Sequence, residues 1–126
     1  MIPYTAFATA LLGLLFIALA GYVSRLRLQN SISLGDGGNK DLSRAVRAHA
    51  NLAEFAPIFL LLVLALELRG AGGWLLGVLV VSFVIARIAH GLGLLARATS
   101  KARQFGAAVS YAGVAIASLW LLLTLF

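Results

Sequence analysis

Four long apolar stretches divide the chain, at about residues 4–24, 52–68, 73–96 and 105–126. Each reaches or approaches the ~20 residues a helix needs to cross the hydrocarbon core of a bilayer. The pattern predicts an all-α membrane protein, a four-transmembrane-helix bundle forming a single domain over residues 1–126. The connection between the first two stretches, LRLQNSISLGDGGNKDLSR, is long and polar. The second connection, Arg69-Gly70-Ala71-Gly72-Gly73, is so short that spans two and three must form an antiparallel hairpin.

Composition agrees with this pattern. Hydrophobic residues make up 62% of the chain and charged residues 11%, too little polar material to cover the surface of a soluble domain. Ala18-Leu19-Ala20 imitates a signal-peptide cleavage site, but no basic residue precedes the apolar run, and Arg25 and Arg27 follow it. That order predicts a retained first helix. There are no cysteines, which excludes disulfides, thiolate metal sites and a thiol nucleophile borne by the protein. The two histidines lack a spaced carboxylate partner, so no metal is expected.

Charge sets the expected topology. The net charge of +6 is not spread as a nucleic-acid surface would be, and no nucleic-acid partner is expected. Arg25, Arg27, Lys40, Arg44 and Arg47 lie between spans one and two, and Arg97, Lys101 and Arg103 between spans three and four. The middle connection carries Arg69 alone, close to Glu67. The positive-inside rule therefore predicts both termini on the outer side and the two basic connections in the cytoplasm. Tyr4, Trp74 and Trp120 then fall at the outer interface as an aromatic belt.

The stretch RAVRAHANLAEFAP, residues 44 to 57, brings ionisable groups into a greasy segment. On a helix wheel Arg44, Arg47, Asn51, Glu54 and Ile58 share one stripe, while His49 points to the opposite side. Asp41 is the expected cap of this helix, and Pro57 should kink it or free a carbonyl near residue 53. In span three, Arg87, His90, Leu94, Arg97 and Lys101 form a second stripe. Counted from the turn at Ala71, at ~1.5 Å of rise per residue, Glu54 falls level with Arg87, Asn51 with His90, and Arg44 with Arg97. These levels predict a pocket floored by a Glu54–Arg87 ion pair. Its mouth would carry Arg44, Arg47 and Arg97 without a carboxylate. Such a pocket takes an anion or a zwitterion. The plainer alternatives are a structural ion pair between two helices and interfacial arginines that snorkel to lipid phosphates. Gly35-Asp36-Gly37-Gly38-Asn39 reads better as a turn than as a phosphate cradle, because no lysine–serine pair or strand accompanies it.

Arg47-Ala48-His49-Ala50-Asn51-Leu52-Ala53-Glu54-Phe55-Ala56-Pro57 resembles the signature of the MAPEG proteins, the membrane-associated proteins of eicosanoid and glutathione metabolism. Arg87-Ile88-Ala89-His90 is similar to that family's second motif. The length and four-span layout match as well, and the first connection resembles that of a bacterial branch. The resemblance implies a homotrimer in the bacterial inner (plasma) membrane, binding glutathione as co-substrate at subunit boundaries near the cytoplasmic face. Arg47, Asn51 and Glu54 would hold the peptide backbone and charged ends of glutathione, with Arg87 and His90 in the same polar layer. His49 and Arg25 or Arg27 would reach a neighbouring subunit's site. Arg103 matches the arginine that stabilises the glutathione thiolate, with Lys101 as the alternative. Leu94 and Phe55 stand where other members carry tyrosines.

The implied chemistry is that of a glutathione S-transferase or peroxidase acting on lipophilic electrophiles that arrive through the lipid bilayer. A thiol with pKa near ~8.5 needs ~2 kcal/mol of differential stabilisation to be mostly thiolate at neutral pH. One guanidinium ~4 Å away supplies up to ~4 kcal/mol at an effective dielectric of ~20, so an arginine suffices without a base on the protein. Two other readings stand beside it. One is a glutathione- or lipid-binding protein without turnover. The other is a small four-helix drug exporter with Glu54 as the proton-coupled carboxylate.

Overall fold

The computed structural model describes residues 1–126, which form four helices in sequence. They are α1 (Pro3–Asn30), α2 (Lys40–Leu68), α3 (Gly73–Ala96) and α4 (Lys101–Leu123). All four are long and apolar enough to cross a membrane. The expected all-helical architecture is therefore present. α2 and α4 begin upstream of their apolar stretches, because the polar segments leading into them are also helical.

α2 and α3 are the central elements, each touching the other three helices. α3 and α4 make the most extensive pairing, whereas α1 packs on α2 and α3 and does not reach α4. The core runs along the shared axis through Phe59, Val63, Leu66, Leu76, Val80 and Phe83, all fully buried. At its centre the rings of Phe59 and Phe83 stack at 3.6 Å between centroids. α1 buries only Thr5, Ala8, Leu12 and Leu19, and it exposes Phe7, Leu14 and Ile17. A helix that is apolar all round needs an apolar medium outside as well as inside.

The helix ends explain the local sequence. α2 is capped by Asn39, not by the expected Asp41: the Asn39 side chain accepts from the amides of Asp41 and Leu42, each at 3.0 Å. Asp41 lies in the first turn, where its charge suits the helix dipole, and its carboxylate contacts Arg44. The helix runs on through Pro57 to Leu68. The glycine-rich connection is a turn filled by its own anion. Gly38 N–H donates to the Asp36 carboxylate at 3.0 Å, which holds that carboxyl below its usual range. Gly35, Gly37 and Gly38 all adopt the left-handed backbone region there. Arg27 braces the same loop, its guanidinium donating to the carbonyls of Ile32, Ser33 and Gly35.

The end that carries both termini holds a feature the sequence did not point to. α1 has no capping side chain of its own. Instead Glu67, buried near the end of α2, accepts from Tyr4 N–H at 2.9 Å, Thr5 N–H at 2.8 Å and the Thr5 hydroxyl at 2.5 Å. A carboxylate from a neighbouring helix thus satisfies the free amides of the α1 N-terminus. Arg69 turns away from Glu67 and donates to the Thr124 hydroxyl at 2.8 Å and to its carbonyl, tying the hairpin to the end of α4.

Candidate functional site

The polar stripe of α2 meets α3 and the start of α4 at the other end of the bundle. Two glycines allow the approach. A Cβ on Gly106 would lie 2.7 Å from the His90 Cβ, and one on Gly93 would lie 2.5 Å from the Arg103 amide. Because both positions lack that atom, α4 lies directly against α3, and His90 reaches the first turn of α4. Ser100 starts this helix, its hydroxyl accepting from Arg103 N–H at 3.1 Å.

Two adjoining cavities open here, of about 200 and 240 Å³. Asn51, His90, Ala98 and Arg103 line both. The first adds Ser43, Arg44, Arg47 and Leu94; the second adds Thr99, Gln104, Ala107 and Tyr111. No carboxylate lines either cavity. The cluster suits an elongated ligand with negative charge at the arginine-lined end.

Arg87 lies buried behind Asn51, outside the lining of both cavities, and its partners differ from the expected ones. Its Nη2 donates to Asn51 Oδ1 at 2.7 Å and its Nη1 to the Ser110 hydroxyl at 3.2 Å. The guanidinium also lies 5.5 Å from the centroid of the Phe55 ring. Glu54 is not its partner. The Glu54 carboxylate lies 4.0 Å from Arg47, and the two side chains are 53% and 61% exposed. Both observations have one cause. Glu54 sits three residues from Asn51 on the wheel, enough to rotate it out of the α2–α3 seam. The long arginine side chain then spans the turn between the level of its own Cα and that of Asn51.

Other expectations meet different outcomes. His49 faces away from the cleft, as its wheel position requires, with its ring 4.4 Å from that of Phe16 on α1. Its Nε2 is buried without a hydrogen-bond partner. Arg97 leaves the α3 stripe, because the helix ends at Ala96 and Arg97 continues in an extended conformation. The stripe therefore stops at Leu94, which is buried and lines the first cavity. The mouth is not free of carboxylates either: Arg44 bonds Asp41 as well as the Ala96 carbonyl. Arg25 is exposed, whereas Arg27 is occupied with its own loop. Of the two residues considered for the thiolate, Arg103 lines both cavities and Lys101 neither. The Arg103 guanidinium rests on the Ala98 carbonyl.

Ser110 and Tyr111 are site residues that spacing alone does not single out. Ser110 is fully buried, accepting from Arg87 while donating to Gly106 O at 2.7 Å. Tyr111 packs its ring 5.2 Å from that of Phe55 and borders the second cavity. The sequence signal was a serine and a tyrosine side by side, seven and eight residues after Arg103, in a stretch otherwise made of small and apolar residues.

Comparison with known proteins places this arrangement. The chain is similar to the inner membrane protein YecN of Escherichia coli K12, at 34% identity over 89 residues, covering 71% of this chain and 68% of the relative. The YecN protein of Escherichia coli O6:H1 matches to the same extent. The model of the MAPEG family matches residues 5–123, a range that takes in the central helices, the cavities between them and the Arg103 turn. The chain therefore belongs to the MAPEG family.

Proposed function

We propose that the chain is a glutathione-binding membrane enzyme, a glutathione S-transferase or peroxidase that presents the thiolate to lipophilic electrophiles. The observation that carries this reading is the pair of joined cavities. Arg44, Arg47 and Arg103 converge there with Asn51 and His90, and no carboxylate lines the walls. A tripeptide with two carboxylates and a thiol has the charge and length for such a cleft, and an arginine at the joint suits a sulfur anion. Arg47 and Asn51 would hold the peptide, and Arg103 the sulfur. On the far side of α4, Leu79, Phe83, Ile116 and Trp120 line an apolar groove of about 360 Å³, which suits hydrophobic molecules moving in the bilayer.

The reading includes a homotrimer in a bacterial inner membrane, both termini outside and the cavity mouth toward the cytoplasm. Arg25, exposed and outside both cavities, supports contact with a neighbouring subunit, whereas His49 packs its ring on Phe16 of its own chain. Cysteines placed at positions 36, 71 and 101 should label from opposite sides, 71 against the other two. Labelling of all three from one side would overturn the four-span topology.

A second reading, ligand binding without turnover, draws on two observations. Leu94 supplies no hydroxyl to the first cavity, and the Arg103 guanidinium rests on a backbone carbonyl. The exporter reading draws no comparable support, because Glu54 lies outside the cavities and the arginines would repel a cation.

A thermal-shift series with glutathione, its S-alkyl derivatives and unrelated anions tests binding. Arg103→Leu separates the two readings. It should leave glutathione affinity within a few-fold, yet remove both the thiolate ultraviolet signal and conjugation of a chloronitroaromatic probe. If the parent protein binds glutathione but shows no thiolate signal, the binding-only reading takes its place.

A further inference from the structure

We propose that His90 is a further catalytic residue, the acceptor of the thiol proton, and this rests on the glutathione reading above. The His90 Nδ1 lies 3.0 Å from the Arg103 carbonyl oxygen. A carbonyl can only accept, so Nδ1 carries the hydrogen and donates it. In the neutral ring Nε2 then holds the lone pair. The residue is 4% exposed, and Nε2 makes no hydrogen bond to the protein. It is nevertheless absent from the set of sealed, unpartnered polar atoms, which comprises Arg44 Nε, His49 Nε2 and Arg87 Nε. Nε2 is thus open to the two cavities that His90 lines.

The rest of the lining makes that lone pair unusual. Arg44, Arg47 and Arg103 can only donate. Asn51 spends its oxygen on Arg87, which turns its amide NH₂ toward the cleft. Apart from hydroxyls, the Gln104 amide and backbone, the cleft offers a ligand one strong basic acceptor, and it stands on the residue whose partner is Arg103. A thiol placed at the Arg103 joint finds a cation to stabilise the sulfur anion and a base to take the hydrogen. The arginine stabilises the sulfur anion but cannot itself accept a proton, so the thiolate forms only as fast as the imidazole takes the hydrogen.

The step balances without a further reactant. The S–H bond breaks, its electron pair stays on sulfur, and the hydrogen forms an N–H bond at Nε2. Sulfur then attacks the electrophilic carbon as the bond to the leaving group breaks with its electron pair. The imidazolium releases its proton to water through the mouth. The charged and titratable groups around the ring are Arg87 on its own helix, Arg44 and Arg47 on α2, and Arg103 and Tyr111 on α4. Nearly all are cations, which disfavour the imidazolium, so it is short-lived and passes its proton on to water.

His90→Asn tests the role, because an asparagine NH₂ can still donate to the Arg103 carbonyl while Nε2 is lost. Glutathione affinity should stay within about threefold. Conjugation at pH 7 should fall about 100-fold, the scale of a lost general base, and recover toward the parent above about pH 9. In the parent, nitrogen-15 NMR of its two histidines should find His90 protonated at Nδ1, which decides the tautomer even if His90→Asn does not fold. Retention of the parent rate at pH 7 overturns the role. So does a loss of affinity as large as the loss of rate, or protonation at Nε2. A parent that neither binds nor conjugates glutathione overturns instead the reading on which the role rests.

Discussion

The two ends of this bundle use charge in opposite ways. At the end with both termini, Glu67 is consumed by the amides of Tyr4 and Thr5, and Arg69 by Thr124. Those charges finish helix ends and leave nothing to offer a ligand. At the loop end, Arg44 and Arg47 meet carboxylates only at the rim, and Arg103 meets only a backbone carbonyl. Cations there outnumber their partners and surround open space. An ionisable group in a membrane helix marks function only when the chain itself leaves it unsatisfied, and that condition separates the two ends.

The largest effect should follow from breaking the link between structure and site at the loop end. Asn51→Leu keeps most of the volume but leaves the Arg87 Nη2 without its acceptor inside the bundle. Stranding a buried charged donor costs about 3 kcal/mol or more, so thermal unfolding in detergent should move down by several degrees or more. Glutathione binding should be lost as well, because the same side chain lines both cavities. A variant that melts like the parent would mean that Arg87 finds another acceptor and that Asn51 is a ligand residue alone.

The helices and the helical hairpin are legible in the sequence because each rests on a local rule, namely apolar length or a connection too short for anything else. The cationic lining of the cleft is legible too, since Arg44, Arg47 and Asn51 share a stripe whatever their partners. The partners are not. A helix wheel gives direction but no reach, so it pairs Arg87 with the residue at its own level and misses the side chain's extension to Asn51. Nor can periodicity tell that α3 stops at Ala96, which removes Arg97 from the stripe. Glu67 is the clearest omission. Its partners are backbone amides more than sixty residues away, and backbone groups leave no trace in a sequence pattern.

That omission sets the next largest effect, at the opposite end. Glu67→Gln removes the charge but keeps the shape, leaving the Tyr4 and Thr5 amides and the Thr5 hydroxyl with a weaker acceptor. Hydrogen bonds to a charged group contribute ~1.5–3 kcal/mol, so a loss of about 2 kcal/mol in stability is expected. Cysteine labelling near residue 5 should report fraying of the start of α1, while glutathione affinity stays unchanged. A loss of affinity would show that the two ends are coupled, contrary to the separation drawn above.

The smallest effect should come from Glu54→Gln, and it sharpens the comparison most. Had Glu54 been the buried partner of Arg87, removing its charge would cost ~3–5 kcal/mol, the scale of a broken buried pair. It is instead 53% exposed and 4.0 Å from an Arg47 that is 61% exposed. Pairs so open to their surroundings contribute ~0–1 kcal/mol, so the melting temperature should move by no more than a few degrees. Affinity for an anionic ligand is the more informative reading. Glu54 restrains Arg47 at the rim and offsets part of its charge, so the glutamine variant should bind simple anions the same or slightly more tightly, most visibly at low salt. Glutathione has an ammonium group as well as carboxylates, so it discriminates further: weaker glutathione binding with unchanged anion binding would assign Glu54 to the ammonium. A large loss of stability would return Glu54 to a buried pair with Arg87.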